Sequence, residues 1–411
     1  MKILLLSTEE FSGAGKATCK VKNALKEVNL NCDHRVLLKD INNKNFKKII
    51  KKFFYRIVQK INTLICFCFG KNIKEFQSLS LFPSNLSKEI NNSDYDIVHL
   101  TWINELLSIE DIGKIKKPIV WTLCDMWPIA GVSHYDNKSN ESFWKIENLN
   151  NVNFNKNYLD NWIIQRKIRS WKNEITFVCP SQWLMNCTKE SIITNNLSLK
   201  KIESKKIPWP IDVKIFNKKN KKELRKKFNF STEKNIIIFN SYSGIYSKRK
   251  GGDLFIEALS KLDLDCELVV IGNTSDDTIN AKIDKKIHWM GKINNDLKLD
   301  EFINCADLIV IPSRMDNLPQ TGLEAQACGV PVVAFNTNGI KDLVNHKIDG
   351  YLSKPFEIDS LIDGIEWTLN QLKLSNRLTE LNLEKTKKNW ASQIVGGNYK
   401  NLYQNILEKN I

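Results

Sequence analysis

The ten cysteines include no Cys-x-x-Cys pair, and the five histidines are scattered from His34 to His346, so no spacing typical of a zinc site occurs. A disulfide scaffold is not expected in a chain of 411 residues, a length at which an apolar core suffices without covalent staples. Long apolar runs are missing too. The longest, residues 64–69, is far below the roughly 20 residues that cross a bilayer. The first ten residues hold only the apolar run 3–6 before Glu9 and Glu10, too little for the core of a signal peptide. The chain therefore reads as cytoplasmic, with reduced thiols.

Acids are in short supply. The chain has 61 Lys and Arg against 46 Asp and Glu, a net charge of +15, which favours an anionic partner such as phosphate, nucleic acid or lipid head groups without choosing among them. Residues 41–74 carry nine Lys/Arg and no acid at all. Within them Phe46, Ile50, Phe53, Ile57, Ile61 and Leu64 recur in steps of 4, 3, 4, 4 and 3, one face of a helix. Lys47, Lys48, Lys51, Lys52, Arg56 and Lys60 lie largely elsewhere around it. Two readings stand side by side: a basic amphipathic helix lying on an anionic bilayer surface, or a domain helix whose apolar stripe enters the core. No nucleic-acid reading motif accompanies the charge, so nucleic acid is not an expected partner.

Of the residues, 42% are apolar, and short apolar runs alternate with helix-period stretches, the pattern of parallel sheets covered by helices. Strands are expected at residues 3–6, 34–38, 96–100, 118–122 and 175–179 in the first half, and at 235–239, 267–271, 307–311 and 331–335 in the second. This predicts an α/β chain with two doubly wound domains. Pro208 and Pro210 bracket Trp209 near the expected seam, and residues 214–227 follow with eight basic residues and one acid, a run read first as solvated surface.

Three segments could carry chemistry. Ser12-Gly13-Ala14-Gly15-Lys16-Ala17 follows the first strand, where small residues let backbone N–H groups approach a phosphate or sugar at a helix start. It is neither a Walker A loop nor GxGxxG, because Glu10, Ala17 and Thr18 stand where those motifs need other residues. Ser247-Lys248-Arg249-Lys250-Gly251-Gly252 precedes a helical run; three cations beside two glycines suit a diphosphate. The third segment runs from Pro312 to Pro331. A buried strand enters a polar loop holding Asp316, and a short helix follows with Glu324 and ends at Gly329. Ligands of open α/β sheets bind outside the carboxyl ends of strands, where this loop lies.

With these residues in place, the chain resembles glycosyltransferases of the GT-B fold, family 4, also called glycosyl transferases group 1. The resemblance rests on Asp316, then Glu324 and Cys328-Gly329-Val330-Pro331-Val332-Val333, on the Arg249-Lys250-Gly251 turn, on Gly272, on Pro180-Ser181-Gln182-Trp183-Leu184, and on residues 207–216. Trp121-Thr122-Leu123-Cys124-Asp125-Met126-Trp127-Pro128, with Gly131, His134 and Tyr135, is similar to members of bacterial cell-surface polysaccharide synthesis of the colanic-acid type. Cys124 stands where that subgroup usually has His, and Gly244 where many members carry an arginine.

The resemblance implies two Rossmann-like domains facing a central cleft. They would be 1–212 on the acceptor side and 213–385 on the donor side, with 386–411 crossing back to the first. It implies retaining, metal-independent transfer from a nucleotide diphosphate sugar to a glycan or lipid-linked acceptor, without a cofactor; the basic helix adds the expectation of a cytoplasmic protein on the inner face of the plasma membrane. Lys250 would neutralise the leaving diphosphate. Asp316 would face the donor sugar, and Glu324 would accept from the ribose hydroxyls. Gly13, Ala14, Gly15, Gly244, Arg249, Asn317, Leu318, Pro319, Gln320 and Thr321 complete the donor set. Asp125, Trp127 and His134 are acceptor-side candidates, and Cys124 occupies the catalytic His position. The rival reading is a catalytically impaired member that still binds nucleotide sugar or glycan.

Overall fold

A computed structural model of the chain describes residues 1–38, 46–71, 76–136, 144–145, 158–196, 203–242, 244–272 and 277–409. It divides into two compact units, Met1–Ile207 with Gly396–Ile411, and Pro208–Val395. The first seam falls at 207/208 rather than the expected 212/213, because residues 208–212 pair with the second unit: Ile211 exchanges backbone hydrogen bonds with Trp390 and Ser392.

The first unit holds a six-stranded parallel sheet in the order β2-β1-β3-β4-β5-β6. Its strands are β1 (Lys2–Glu9), β2 (Asn31–Leu38), β3 (Ile97–Leu100), β4 (Ile119–Thr122), β5 (Ile175–Cys179) and β6 (Ser204–Lys206). The second unit repeats the plan in the order β12-β11-β10-β7-β8-β9. Its strands are β7 (Asn235–Asn240), β8 (Cys266–Ile271), β9 (Ile287–Gly291), β10 (Leu308–Ile311), β11 (Val332–Phe335) and β12 (Gly350–Ser353). All the pairings are parallel, as crossover helices require. The sequence did not lead us to expect β6, β9 or β12, and each of these lies at a sheet edge.

Each sheet has its own core. Trp121, Trp127, Trp171 and Phe177 anchor the first, and Phe239, Phe255, Val310 and Phe335 the second. In both sheets the strand order reverses across the middle, between β1 and β3 and between β7 and β10. Crevices for ligands open at the carboxyl ends of strands on either side of such a reversal.

Two local expectations change. The basic run 214–227 is pinned as well as solvated: Lys219 pairs with Asp300, Lys221 and Arg225 with Asp307, and Lys227 with Glu301. The helix Phe46–Cys68 forms, but it does not bury the stripe that its sequence offers. Val58, Asn62 and Cys66 face inward, whereas Phe53, Ile57, Ile61 and Leu64 are exposed, so the reading that places the stripe in the core is corrected. The side chains of residues 46–52, Lys47, Lys48, Lys51 and Lys52 among them, lie outside the described residues.

Candidate functional site

In the second unit, the Ser247–Gly251 turn places a lysine at the β7/β10 reversal. The amide of Lys250 donates to Ser247 O at 2.9 Å, and Gly251 adopts φ +69°. A Cβ on Gly251 would fall 1.8 Å from Pro312 O, so only glycine lets this turn press against the loop after β10. Arg314 N donates to Arg249 O at 2.8 Å, and the Arg249 guanidinium donates to Met315 O at 2.9 Å. The two loops are thereby zipped together.

That zipper brings Lys250 Nζ to 2.5 Å from Asp316 Oδ2, with Arg249 3.7 Å from the other carboxylate oxygen. Burial pushes the Asp316 carboxyl upward, but the Lys250 and Arg249 charges and the Lys250 hydrogen bond together hold it below its usual range. Burial likewise lowers Lys250, against the opposing pull of Asp316. The pair is thus an ammonium and a carboxylate in a poorly solvated place, which strengthens their field. Lys250, Ser241, Ser313, Pro319 and Thr321 line a small cavity at the carboxyl ends of β7 and β10.

The helix Gln320–Ala327 begins beside this cavity after Pro319, so the positive end of its dipole faces this neighbourhood. Gly322 keeps it close: a Cβ there would meet Leu343 Cδ2 at 2.2 Å. Asn317, Leu318 and Glu324 are buried along the loop and helix. Gly244 sits at φ +81° with its amide donating to Ser241 O at 2.9 Å. An arginine would be strained in that left-handed backbone. The structure thus gathers Arg249, Lys250, Asp316, Pro319 and Thr321 into one neighbourhood. Ser241 and Ser313 belong to it and were missed, although each lies two residues beyond a strand end that the apolar runs had marked, Phe239 and Ile311.

Gly13, Ala14 and Gly15 lie in the first unit, at the start of the helix Gly13–Glu27. Gly15 is required by packing, since its Cβ would sit 2.6 Å from Glu9 O. Its amide donates to the capping Ser12 Oγ at 3.2 Å, so that donor is already engaged within the protein.

The residues expected on the acceptor side surround the carboxyl ends of β3 and β4. Cys124, Asp125, Trp127 and His134 line a second small cavity with Thr101 and Asn104. Three of them are locked into one network. Asp125 accepts from Trp127 N at 3.0 Å and pairs with His134 Nδ1 at 2.6 Å, while His134 Nε2 lies 2.6 Å from Ser78 Oγ. Trp127 is buried, donates its indole N–H to Ser78 O at 2.9 Å and lies 4.0 Å from Lys167 Nζ. It is a core residue rather than an open sugar platform. Burial and then the Asp125 charge push the Cys124 thiol well above its ordinary value, so it is no thiolate.

Residues 220–385 match the family model described as glycosyl transferases group 1. N,N'-diacetylbacillosaminyl-diphospho-undecaprenol alpha-1,3-N-acetylgalactosaminyltransferase of Campylobacter jejuni is 25% identical over 48% of this chain and 51% of its own. The chain spans about half the length of the curated relatives it matches. Among solved structures, sucrose-phosphate synthase of Thermosynechococcus elongatus aligns over 100% of both chains with TM-score 0.70 at 13% identity. HepE of Anabaena in complex with UDP-glucose aligns over 100% of both with TM-score 0.62 at 13% identity. The shared fold is GT-B, with two parallel α/β sheets.

Proposed function

From a chain whose residues 220–385 are a glycosyl transferases group 1 domain, we propose a glycosyltransferase that moves a sugar from a nucleotide diphosphate sugar to a glycan or lipid-linked glycan with retention and without a metal. One observation carries this reading: Lys250 and Asp316 are held together at the β7/β10 reversal, beside the start of the helix Gln320–Ala327.

A nucleoside diphosphate gains negative charge as the bond to the sugar breaks. Fixed cations and amide dipoles aimed at that charge are the main catalytic requirement. Lys250 supplies the cation, and the amides of residues 318–321 supply the dipoles. Their positions are set before substrate arrives, because the zipped loops, not the ligand, hold the turn. Asp316 holds Lys250 in an ion pair. When a diphosphate takes up Lys250, the carboxylate turns to the donor sugar, where it orients hydroxyls or faces developing positive charge. Glu324, on the same helix, accepts from the ribose hydroxyls.

The relative from Campylobacter jejuni, named for a diphospho-undecaprenol acceptor, supports a lipid-linked acceptor here, used in cell-surface polysaccharide synthesis at the inner face of the plasma membrane. The first unit, with Asp125, Trp127 and His134, holds the acceptor side. Because Asp125 and His134 satisfy one another and Trp127 is packed, they shape that wall rather than touch the acceptor.

The rival is an impaired member that binds without transferring. It is favoured by the protonated Cys124 thiol and by Gly244, where the backbone disfavours the arginine many members carry. Release of nucleoside diphosphate from a panel of nucleotide sugars, with chelator present, separates the two. Transfer that falls roughly 10²-fold or more in Lys250→Ala supports the proposal. Full turnover in that folded variant refutes the role of Lys250, and binding with no turnover in the wild type refutes transfer.

A further inference from the structure

The helix Phe46–Cys68 is amphipathic in the wrong sense for a soluble surface. Among its described side chains, the inner face is mixed. Asn62 Nδ2 donates to Glu105 Oε1 at 2.6 Å, Gln59 and Tyr55 are half-buried, Val58 is buried, and Ile65 and Cys66 pack on the apolar core. Its outer face is apolar: Phe53, Phe54, Ile57, Ile61, Leu64 and Phe67 are between 37% and 64% exposed. Helical spacing puts these six on one face, with exposed Lys60 among them and Arg56 at its edge. The patch continues beyond the helix, because Phe54 meets exposed Phe82 edge-on at 6.3 Å and Phe69 stacks on exposed Tyr158 at 5.6 Å. A contiguous apolar surface of this kind marks a place that something covers.

The charge around it selects the cover. Arg56 and Lys60 are exposed on the same helix, and residues 41–74 hold nine basic residues and no acid. A second copy of this chain would bring the same positive charges face to face, which opposes self-docking. A lipid bilayer with anionic head groups satisfies both features, taking the aromatic and aliphatic side chains at the head-group boundary and neutralising the flanking cations. No helix among the described residues is long and apolar enough to cross a membrane, so this one would lie in the interface plane.

We propose that the outward face of the helix Phe46–Cys68, built from Phe53, Phe54, Ile57, Ile61, Leu64 and Phe67, docks the protein on an anionic bilayer surface. This deepens the membrane part of the proposed function and rests on it. The geometry adds one consequence: Glu105, which clasps the helix from within, directly follows Asn104 of the cavity at the ends of β3 and β4. Docking therefore sets the carboxyl edge of the first sheet close to the bilayer, where a lipid-linked acceptor would lie.

The test is co-sedimentation of the full chain with vesicles of phosphatidylglycerol and phosphatidylcholine, and with phosphatidylcholine alone. Two variants accompany it, Phe53→Ser/Ile57→Ser/Leu64→Ser/Phe67→Ser and Arg56→Glu/Lys60→Glu. The replaced side chains are exposed, so both variants should fold, and calorimetric UDP binding reports the donor site in each. Expected is binding to the anionic vesicles that drops about 10-fold or more in the serine variant, and less in the charge variant, with UDP affinity unchanged. The proposal falls if the wild type stays in the supernatant with anionic vesicles, if the serine variant sediments as well as the wild type, or if phosphatidylcholine alone captures it equally. It also falls if light scattering finds a wild-type dimer that the serine variant converts to monomer, which would make a second copy the cover. Should the serine variant misfold, undiminished binding by the charge variant still refutes the anionic part. Loss of UDP binding with vesicle binding intact would strike the donor reading alone.

Discussion

Replacing Lys250 by alanine removes one member of an ion pair whose side chains are 22% and 9% exposed. The Asp316 carboxylate is left behind with Ser313 Oγ at 3.4 Å and Arg249 at 3.7 Å, contacts too long to replace the lost ammonium. Breaking a buried pair by deleting one partner costs about 3–5 kcal/mol, and the partial exposure of Lys250 sets the expectation at about 3. For a unit the size of Pro208–Val395, that corresponds to a fall of roughly 6–12 °C in its melting transition. The loss comes from the stranded carboxylate rather than from the missing lysine. Lys250→Ala/Asp316→Asn should therefore recover most of the stability while leaving transfer as low as in the single variant. Thermal unfolding followed by tryptophan fluorescence, alongside a nucleotide-release assay, on the wild type, Lys250→Ala, Asp316→Asn and the double variant completes the cycle. A double variant as unstable as Lys250→Ala would show that the two residues are not coupled. Recovery of turnover in the double variant would show that Lys250 acts only by neutralising Asp316.

Because burial lowers Lys250 from its ordinary value near 10.5, its ammonium is lost earlier as pH rises. The alkaline fall of kcat/KM should lie below the ordinary lysine range and move outward in Lys250→Arg; an unmoved limb would assign it to another group. His99, fully buried between Tyr403 Oη and Thr122 Oγ1, is depressed by burial to about 3. Its unfolded form takes up a proton near pH 6.5 while the folded form does not, so stability should fall as pH drops from about 6.5 toward 3, by up to a few kcal/mol. Denaturant midpoints of wild type and His99→Gln that track each other across that window would contradict this. Trp127→Ala should destabilise the first unit by about 3 kcal/mol or more and leave nucleoside diphosphate affinity untouched; a stable variant with altered acceptor use would make it an acceptor contact instead.

The central strands were legible because they are buried on both faces. Ile236-Ile237-Ile238 and Leu308-Ile309-Val310-Ile311 can only be continuous apolar runs there. The edge strands β6, β9 and β12 read Ser-Lys-Lys, Ile-His-Trp-Met-Gly and Gly-Tyr-Leu-Ser. Edge positions face solvent on one side and relax that constraint. Arg249, Lys250 and Asp316 were legible from local chemistry, a basic glycine turn and an acid after a buried strand. That they touch was not, since 66 residues separate Lys250 from Asp316 and the contact depends on Gly251 abutting Pro312 O. Trp127 stayed ambiguous for a related reason. An indole looks alike in sequence whether it meets a sugar or a core, and only Ser78 and Lys167 decide. The outward stripe of the helix Phe46–Cys68 defeated periodicity, which shows that a face exists but not which way it turns.

The most direct test of the account is calorimetric titration of UDP, GDP and ADP into the wild type, Lys250→Ala and Glu324→Ala, with chelator present. The account predicts metal-independent binding of one nucleoside diphosphate, about 10-fold or more weaker in each variant. Binding that is absent in the wild type, or equally tight in both variants, would contradict a donor site at the β7/β10 reversal.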